Sequence, residues 1–208
     1  MNKDTRKRFE KAFRYGWPLY FLLPLLAGVT ISYLFAVVHE PASYEKLNVF
    51  VASKSLDSVA FSNRLEEKLS PSGLKKASTT QGNPSDSLFS QKLSVVGYNG
   101  SDLFLLPQSV LSGIAAEDVF LPFSEDFVAT HAKEANPVYY QTEAGVYGIR
   151  VKAKGEASWL SSSIGFLDED YYLSLNATSK NLGNYGLYDN PTYDLALQAF
   201  DFLQGDGQ

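Results

Sequence analysis

The residues able to do chemistry in this chain are few and scattered. There is no cysteine, so a thiol nucleophile, a disulfide framework and a lipidated cysteine are all excluded. The two histidines, His39 and His131, lie far apart, and His131 reads as a surface helix residue. No HExxH, Walker loop, GxGxxG or GxSxG string occurs. Ser72 and Lys75 make an SxxK match, but they straddle an SPSG turn instead of opening a helix, so chance explains the string. Asp168, Glu169 and Asp170 lack the alternating spacing and glycine of a calcium loop and read as a solvated acidic turn. Asn99 and Asn176 begin N-x-S/T strings, which matter only in a host that glycosylates them. The chain is therefore expected to be non-enzymatic, with no cofactor and no metal.

The elements that position these residues are organised around Gly16 to Val38, 23 residues without Asp, Glu, Lys or Arg. As a helix this run is roughly 34 Å long, enough to cross a hydrocarbon core of about 30 Å. Trp17, Tyr20 and Tyr33 suit the headgroup layers, and Pro24 is tolerated where neighbours compensate for its missing donor. Gly28, Ser32 and Ala36 recur every four residues and form a small-residue stripe for helix packing in the membrane. The first 15 residues carry a charge of +4, and the chain beyond residue 38 carries −9. Basic flanks stay inside, so the expected topology is a single-pass cell-membrane protein with a cytoplasmic N-terminus and an extracytoplasmic C-terminal domain. The VVHEPAS end is a poor cleavage site, which favours an uncleaved anchor. The divisions are then a basic tail at 1–15, a transmembrane helix at 16–38, a linker at 39–45 and a domain at 46–208. The acidic domain is unsuited to nucleic acid, and membrane lipid through 16–38 is the expected contact.

Leu47 to Ala52 is an apolar, β-branched run that reads as a buried strand. Ser55 or Asp57 caps a helix to about Leu69, with Phe61, Leu65 and Leu69 on one face, and Pro71 and Gly73 stop it. Leu74 to Thr79 is a second strand. Asn83-Pro84 opens a second helix, with Leu88, Phe89, Leu93 and Val96 on its buried side and Gly97 at its end. Asp102 to Leu106 is a third strand. This alternation argues for βαβ units and a mostly parallel sheet. A short helix near Val110 to Ala115, an acidic loop and a helix from Asp126 to Ala135 follow. Val138 to Gln141, Gly145 to Val151 and Tyr171 to Asn176 read as strands, Lys152 to Gly165 as irregular, and Asn190-Pro191 as the start of a last helix ending at Gly205.

Open α/β sheets hold ligands beyond the carboxyl ends of their strands. Those loops contain Ser53, Lys54 and Ser55 after the first strand, Thr80 and Gln81 after the second, and Gln108 and Ser109 after the third. Trp159, the sole tryptophan beyond the apolar run, has the chemistry either to stack on a ligand or to pack.

Several strings resemble the extracytoplasmic solute-binding proteins of bacterial ABC importers, the type II periplasmic-binding-protein fold. They are GNPSDSLFSQKL from Gly82 to Leu93, SDLFLLPQSVL from Ser101 to Leu111, FLPFSEDF, GVYGIRV from Gly145 to Val151 and YYLSLNATSKN from Tyr171 to Asn181. Arg150 stands where the family's "YGIPV" strand has proline. The resemblance runs from Lys46 to Gly205 and implies an α/β lobe that serves a transport system as a binding or accessory subunit, with an integral-membrane transporter or other membrane protein as partner. A full family member has two lobes with solute between them. Here Val151 is followed within about 20 residues by the YYLSLN strand, so the second lobe is nearly absent. The alternative is a cell-surface interaction module that docks a partner protein on the former ligand face.

Overall fold

Residues 103–107, LFLLP, are buried at every position. A strand apolar on both faces must lie between two layers, and the fold is built around it. The computed structural model describes residues 3–134, 136–187, 190 and 192–205; within its first helix the side chains at 3, 4, 6, 8, 9, 12, 14, 15, 17–20, 36 and 39 lie outside the description. The chain divides into two units, residues 1–40 and 41–208.

The first unit is one helix, α1 (Lys3–His39, 37 residues), which runs through Pro24 without a break. Its described side chains from Phe21 to Phe35 are all exposed, Gly28 and Ser32 among them. Among the described residues no helix is long and apolar enough to cross a membrane. The longest continuous run of α1 with described side chains, 21–35, is shorter than the roughly 20 residues a crossing takes. The expected span over 16–38 draws also on Trp17–Tyr20 and Ala36, whose side chains lie outside the description.

The second unit is an α/β domain. Its strands are β1 (Lys46–Ala52), β2 (Ser55–Leu56), β3 (Lys76–Gly82), β4 (Leu103–Pro107), β5 (Tyr139–Thr142), β6 (Gly145–Lys152), β7 (Ile164–Gly165) and β8 (Tyr171–Leu175). Six form one sheet in the order β3-β1-β4-β8-β6-β5, and β2 and β7 pair separately. The sheet is mixed, which corrects the expected mostly parallel ladder: β1 pairs in parallel with β3 and β4, whereas β4–β8, β6–β8 and β5–β6 are antiparallel. Insertion of β8 between β4 and β6 nevertheless leaves β6 pointing the same way as β1, β3 and β4.

Strand alternation sends Leu47, Val49 and Val51 to one face of the sheet and Phe50 and Ala52 to the other. On the first face lie α2 (Ser58–Leu69), α6 (Glu125–His131) and α7 (Leu195–Leu203). Asp57 caps α2 by accepting the Ala60 N–H, and Phe61, Leu65 and Leu69 are its buried stripe. On the second face lie α3 (Phe89–Lys92), which continues as a π-helix over Leu93–Tyr98, and the short helices α4 (Gln108–Leu111) and α5 (Ala116–Val119). Phe104 joins that layer edge-on to Phe120, with ring centroids 5.3 Å apart.

Four local expectations are corrected. β3 begins at Lys76, because Leu74 folds back so that its N–H reaches the Leu69 carbonyl. Asn83 does not open a helix: its side chain accepts the Ser85 N–H in an Asx turn, and α3 starts at Phe89. Leu88 and Val96 are exposed instead of buried. The last helix begins at Leu195, since Asn190 makes the same kind of turn to the Thr192 N–H; Pro191, like Ala135 of the expected Asp126–Ala135 helix, lies outside the described residues. That earlier helix, α6, ends at His131.

Candidate functional site

The expected ligand edge is where β1, β3, β4 and β6 end, and it is closed by the chain itself. β6 leaves the sheet at Lys152 and β8 re-enters beside it, with Lys152 opposite Tyr171. The intervening residues 153–170 run as a strap over this edge. The Lys54 N–H donates to the Gly165 carbonyl at 2.9 Å and the Asp57 N–H to the Ser163 carbonyl at 2.8 Å, flanking the antiparallel β2–β7 pair. At the end of β4 the Gln108 N–H donates to the Asp170 carbonyl at 2.9 Å. The Ser109 N–H donates to the Glu169 carboxylate at 3.0 Å. Backbone donors that would meet a ligand in an open α/β crevice are thus taken by the strap.

The remaining candidates fall around these contacts. Ser53 is fully buried; its Oγ donates to the Ser55 carbonyl at 3.0 Å, and its own carbonyl accepts Gln81 Nε2 at 3.1 Å. Lys54, Ser55, Gln108 and Ser109 have exposed side chains, and Thr80 is half-buried on β3 opposite Phe50. The structure therefore brings Ser53, Lys54, Ser55 and Gln81 together, and holds Gln108 and Ser109 through the strap's acidic end. Trp159 is half-buried at the start of a 3₁₀ turn, its ring 5.2 Å from Phe202 of α7 and 6.0 Å from the Arg64 guanidinium.

The acidic triplet is only in part a solvated turn, with Asp168 exposed and its two neighbours half-buried. Asp170 accepts the Lys154 N–H at 2.7 Å and lies 3.7 Å from Arg150, while Glu169 holds Ser109. Among the described residues no group of three His, Cys, Asp or Glu side chains is placed to hold a metal ion. His131, read as a surface residue, is half-buried: its Nδ1 is 2.9 Å from Asp201 and its ring packs on Phe127 and Tyr185. Lys75 of the SxxK string pairs with Glu45 at 2.7 Å, and this contact holds the Glu45 carboxyl below its ordinary value. Within the SPSG turn Ser70–Ser72 is a 3₁₀ helix closed by Gly73 at φ 95°.

A polar network that no sequence motif marks lies at the opposite end of the sheet. Asp102, just before β4, accepts the Asn48 N–H at 2.8 Å, Ser179 Oγ at 2.5 Å and Asn181 Nδ2 at 3.4 Å. Asn181 Nδ2 also donates to the Lys46 carbonyl at 2.9 Å, and Asn176 Nδ2 to the Tyr98 and Ser101 carbonyls at 2.9 and 2.7 Å. Burial pushes the Asp102 carboxyl up, and its Ser179, Asn48 and Asn181 donors pull the other way. These residues border a polar recess of about 320 Å³. With its amide consumed in the network, Asn176 is no glycan acceptor in the folded domain, whereas Asn99 is exposed. The sequence signal was the pairing of an Asp before an all-apolar strand with a distant NATSKN turn. Compared with family models, curated proteins and solved structures, the chain matches none.

Proposed function

We propose that the chain is a membrane-anchored, non-enzymatic lobe of the solute-binding-protein type, and that it serves a transport system as an accessory subunit by docking a membrane protein. Three of the strings that carried the resemblance support the lobe: SDLFLLP contains β4, GVYGIRV lies within β6 and YYLSLN contains β8, adjacent strands of one sheet. The uncharged run 16–38 and its +4 flank support the anchor and its inside-to-outside orientation.

The single observation that favours docking over solute capture is the strap. It occupies the edge on which a solute would sit, and it replaces the lobe that would close over that solute. A small polar solute on one open wall keeps its far side wet, whereas binding pockets enclose about 70 to 90 per cent of a ligand. A protein partner needs no enclosure, because a few anchors carry an interface.

Calorimetry of the full-length protein in detergent against sugars, amino acids and peptides should show nothing tighter than about millimolar. A photo-cross-linker at position 54 or 108 should capture a membrane protein in its native membrane. Micromolar binding of a small solute would overturn the docking reading. Protection of the C-terminal domain when protease is added to spheroplasts would overturn the topology.

A further inference from the structure

The basic residues before the apolar run do more than set orientation. α1 begins at Lys3, so residues 3–15 are a helical continuation of the run and not a loose tail. Among the side chains described there, Lys7 and Lys11 are exposed one turn apart, on the same stripe. Positions 3 and 14 fall in the same register, while the two acidic positions, 4 and 10, flank it. Phe13 is 72 % exposed and sits off that stripe. An exposed aromatic ring beside a basic stripe is the pattern of a helix end that lies in a headgroup layer.

We infer that residues 3–15 form a docking surface for anionic lipid headgroups of the leaflet that the N-terminus faces. The inference rests on the membrane-spanning reading of 16–38. Along the helix axis Lys11 is roughly 8 Å and Lys7 roughly 14 Å from Gly16. Screening at physiological salt acts over about 8 Å, so Lys11 lies within one such length of the bilayer edge and Lys7 within two. Phe13, roughly 5 Å from Gly16, falls at the level where aromatic rings partition. A net +4 over this segment complements a negative leaflet. Continuity with the run keeps the charges there, because the helix cannot leave while its apolar part is inserted.

The test uses the full-length protein in nanodiscs of phosphatidylcholine alone and of phosphatidylcholine with phosphatidylglycerol. Amide exchange at residues 7–13 should be severalfold slower in the anionic discs. High salt or the Lys7→Gln/Lys11→Gln variant should abolish the difference, and the same variant should co-purify less phosphatidylglycerol. Equal exchange in the two discs would overturn the lipid surface while leaving the span intact. Release of the whole chain from vesicles by alkaline carbonate would overturn the span and the lipid surface together.

Discussion

Ser179 Oγ donates to Asp102 Oδ1 at 2.5 Å, tying the loop after β8 to the residue that opens β4. Asp102 Oδ2 accepts the Asn48 N–H at 2.8 Å, so one carboxylate joins the starts of β1 and β4 to the end of β8. The residue is 8 % exposed, and the polar partners of its carboxylate are an N–H, a hydroxyl and an amide. A carboxylate in such a place is held by neutral donors against the cost of leaving water.

That balance sets a pH dependence. Burial raises the Asp102 carboxyl above its ordinary 3.8, so in the window between that and the raised value the folded chain keeps a proton that the unfolded chain has released. The stabilising contribution is complete below 3.8 and is lost as pH rises through the raised value. Urea unfolding at a series of pH values should therefore show wild type losing stability relative to Asp102→Asn on going from acid towards neutral. A gap that moves in wild type's favour with rising pH would mean that the three donors outweigh burial.

The parts of this fold that could be read from sequence are those whose residues speak for themselves locally. The capped, periodic Asp57–Leu69 helix and the apolar runs of β1, β4 and β8 stand close to where the pattern puts them, because each carries both a start signal and a buried face. Asn83 and Asn190 misled for a physical reason. The side chain that can cap a helix can equally close an Asx turn, and only the surroundings choose. β2 and β7 have two residues each, too few for any period. The closed ligand edge was illegible because the strap's bonds run through backbone groups of Ser163, Gly165 and Asp170, which side-chain chemistry does not reveal. Asp102 stands within the SDLFLLPQSVL string, yet its burial depends on Ser179 and Asn181, far away in the chain.

The strap makes its own prediction. Glu169 is the side-chain acceptor for the Ser109 N–H, and Glu169→Ala removes it without touching the core. The Ser109 amide should exchange severalfold faster, with a loss of about 1 kcal/mol in global stability. NMR-detected exchange would read both. An unchanged Ser109 amide would show that the strap stays closed over the end of β4 through the backbone bond of Gln108 to Asp170, without Glu169.

Trp159 decides between two roles for the strap's aromatic side chain. Its ring lies 5.2 Å from Phe202, and Arg64 reaches over it to donate from Nη1 to Ser162 Oγ at 2.9 Å. Leu160 beside it is fully buried. Such a ring is fixed by the domain, so its truncation should cost folding energy first. Loss of a fully buried large aromatic costs about 3–5 kcal/mol, and a half-buried one should cost about 2. Trp159→Ala should thus lower the urea midpoint clearly, while Trp159→Phe, which keeps the contact with Phe202, should cost less than half as much. Cross-linking from position 108 then separates packing from recognition. If Trp159 only packs, Trp159→Phe captures the partner as wild type does. A normal urea midpoint with capture lost in Trp159→Phe would instead make the ring an interface anchor, since anchors fail on small changes that folding tolerates.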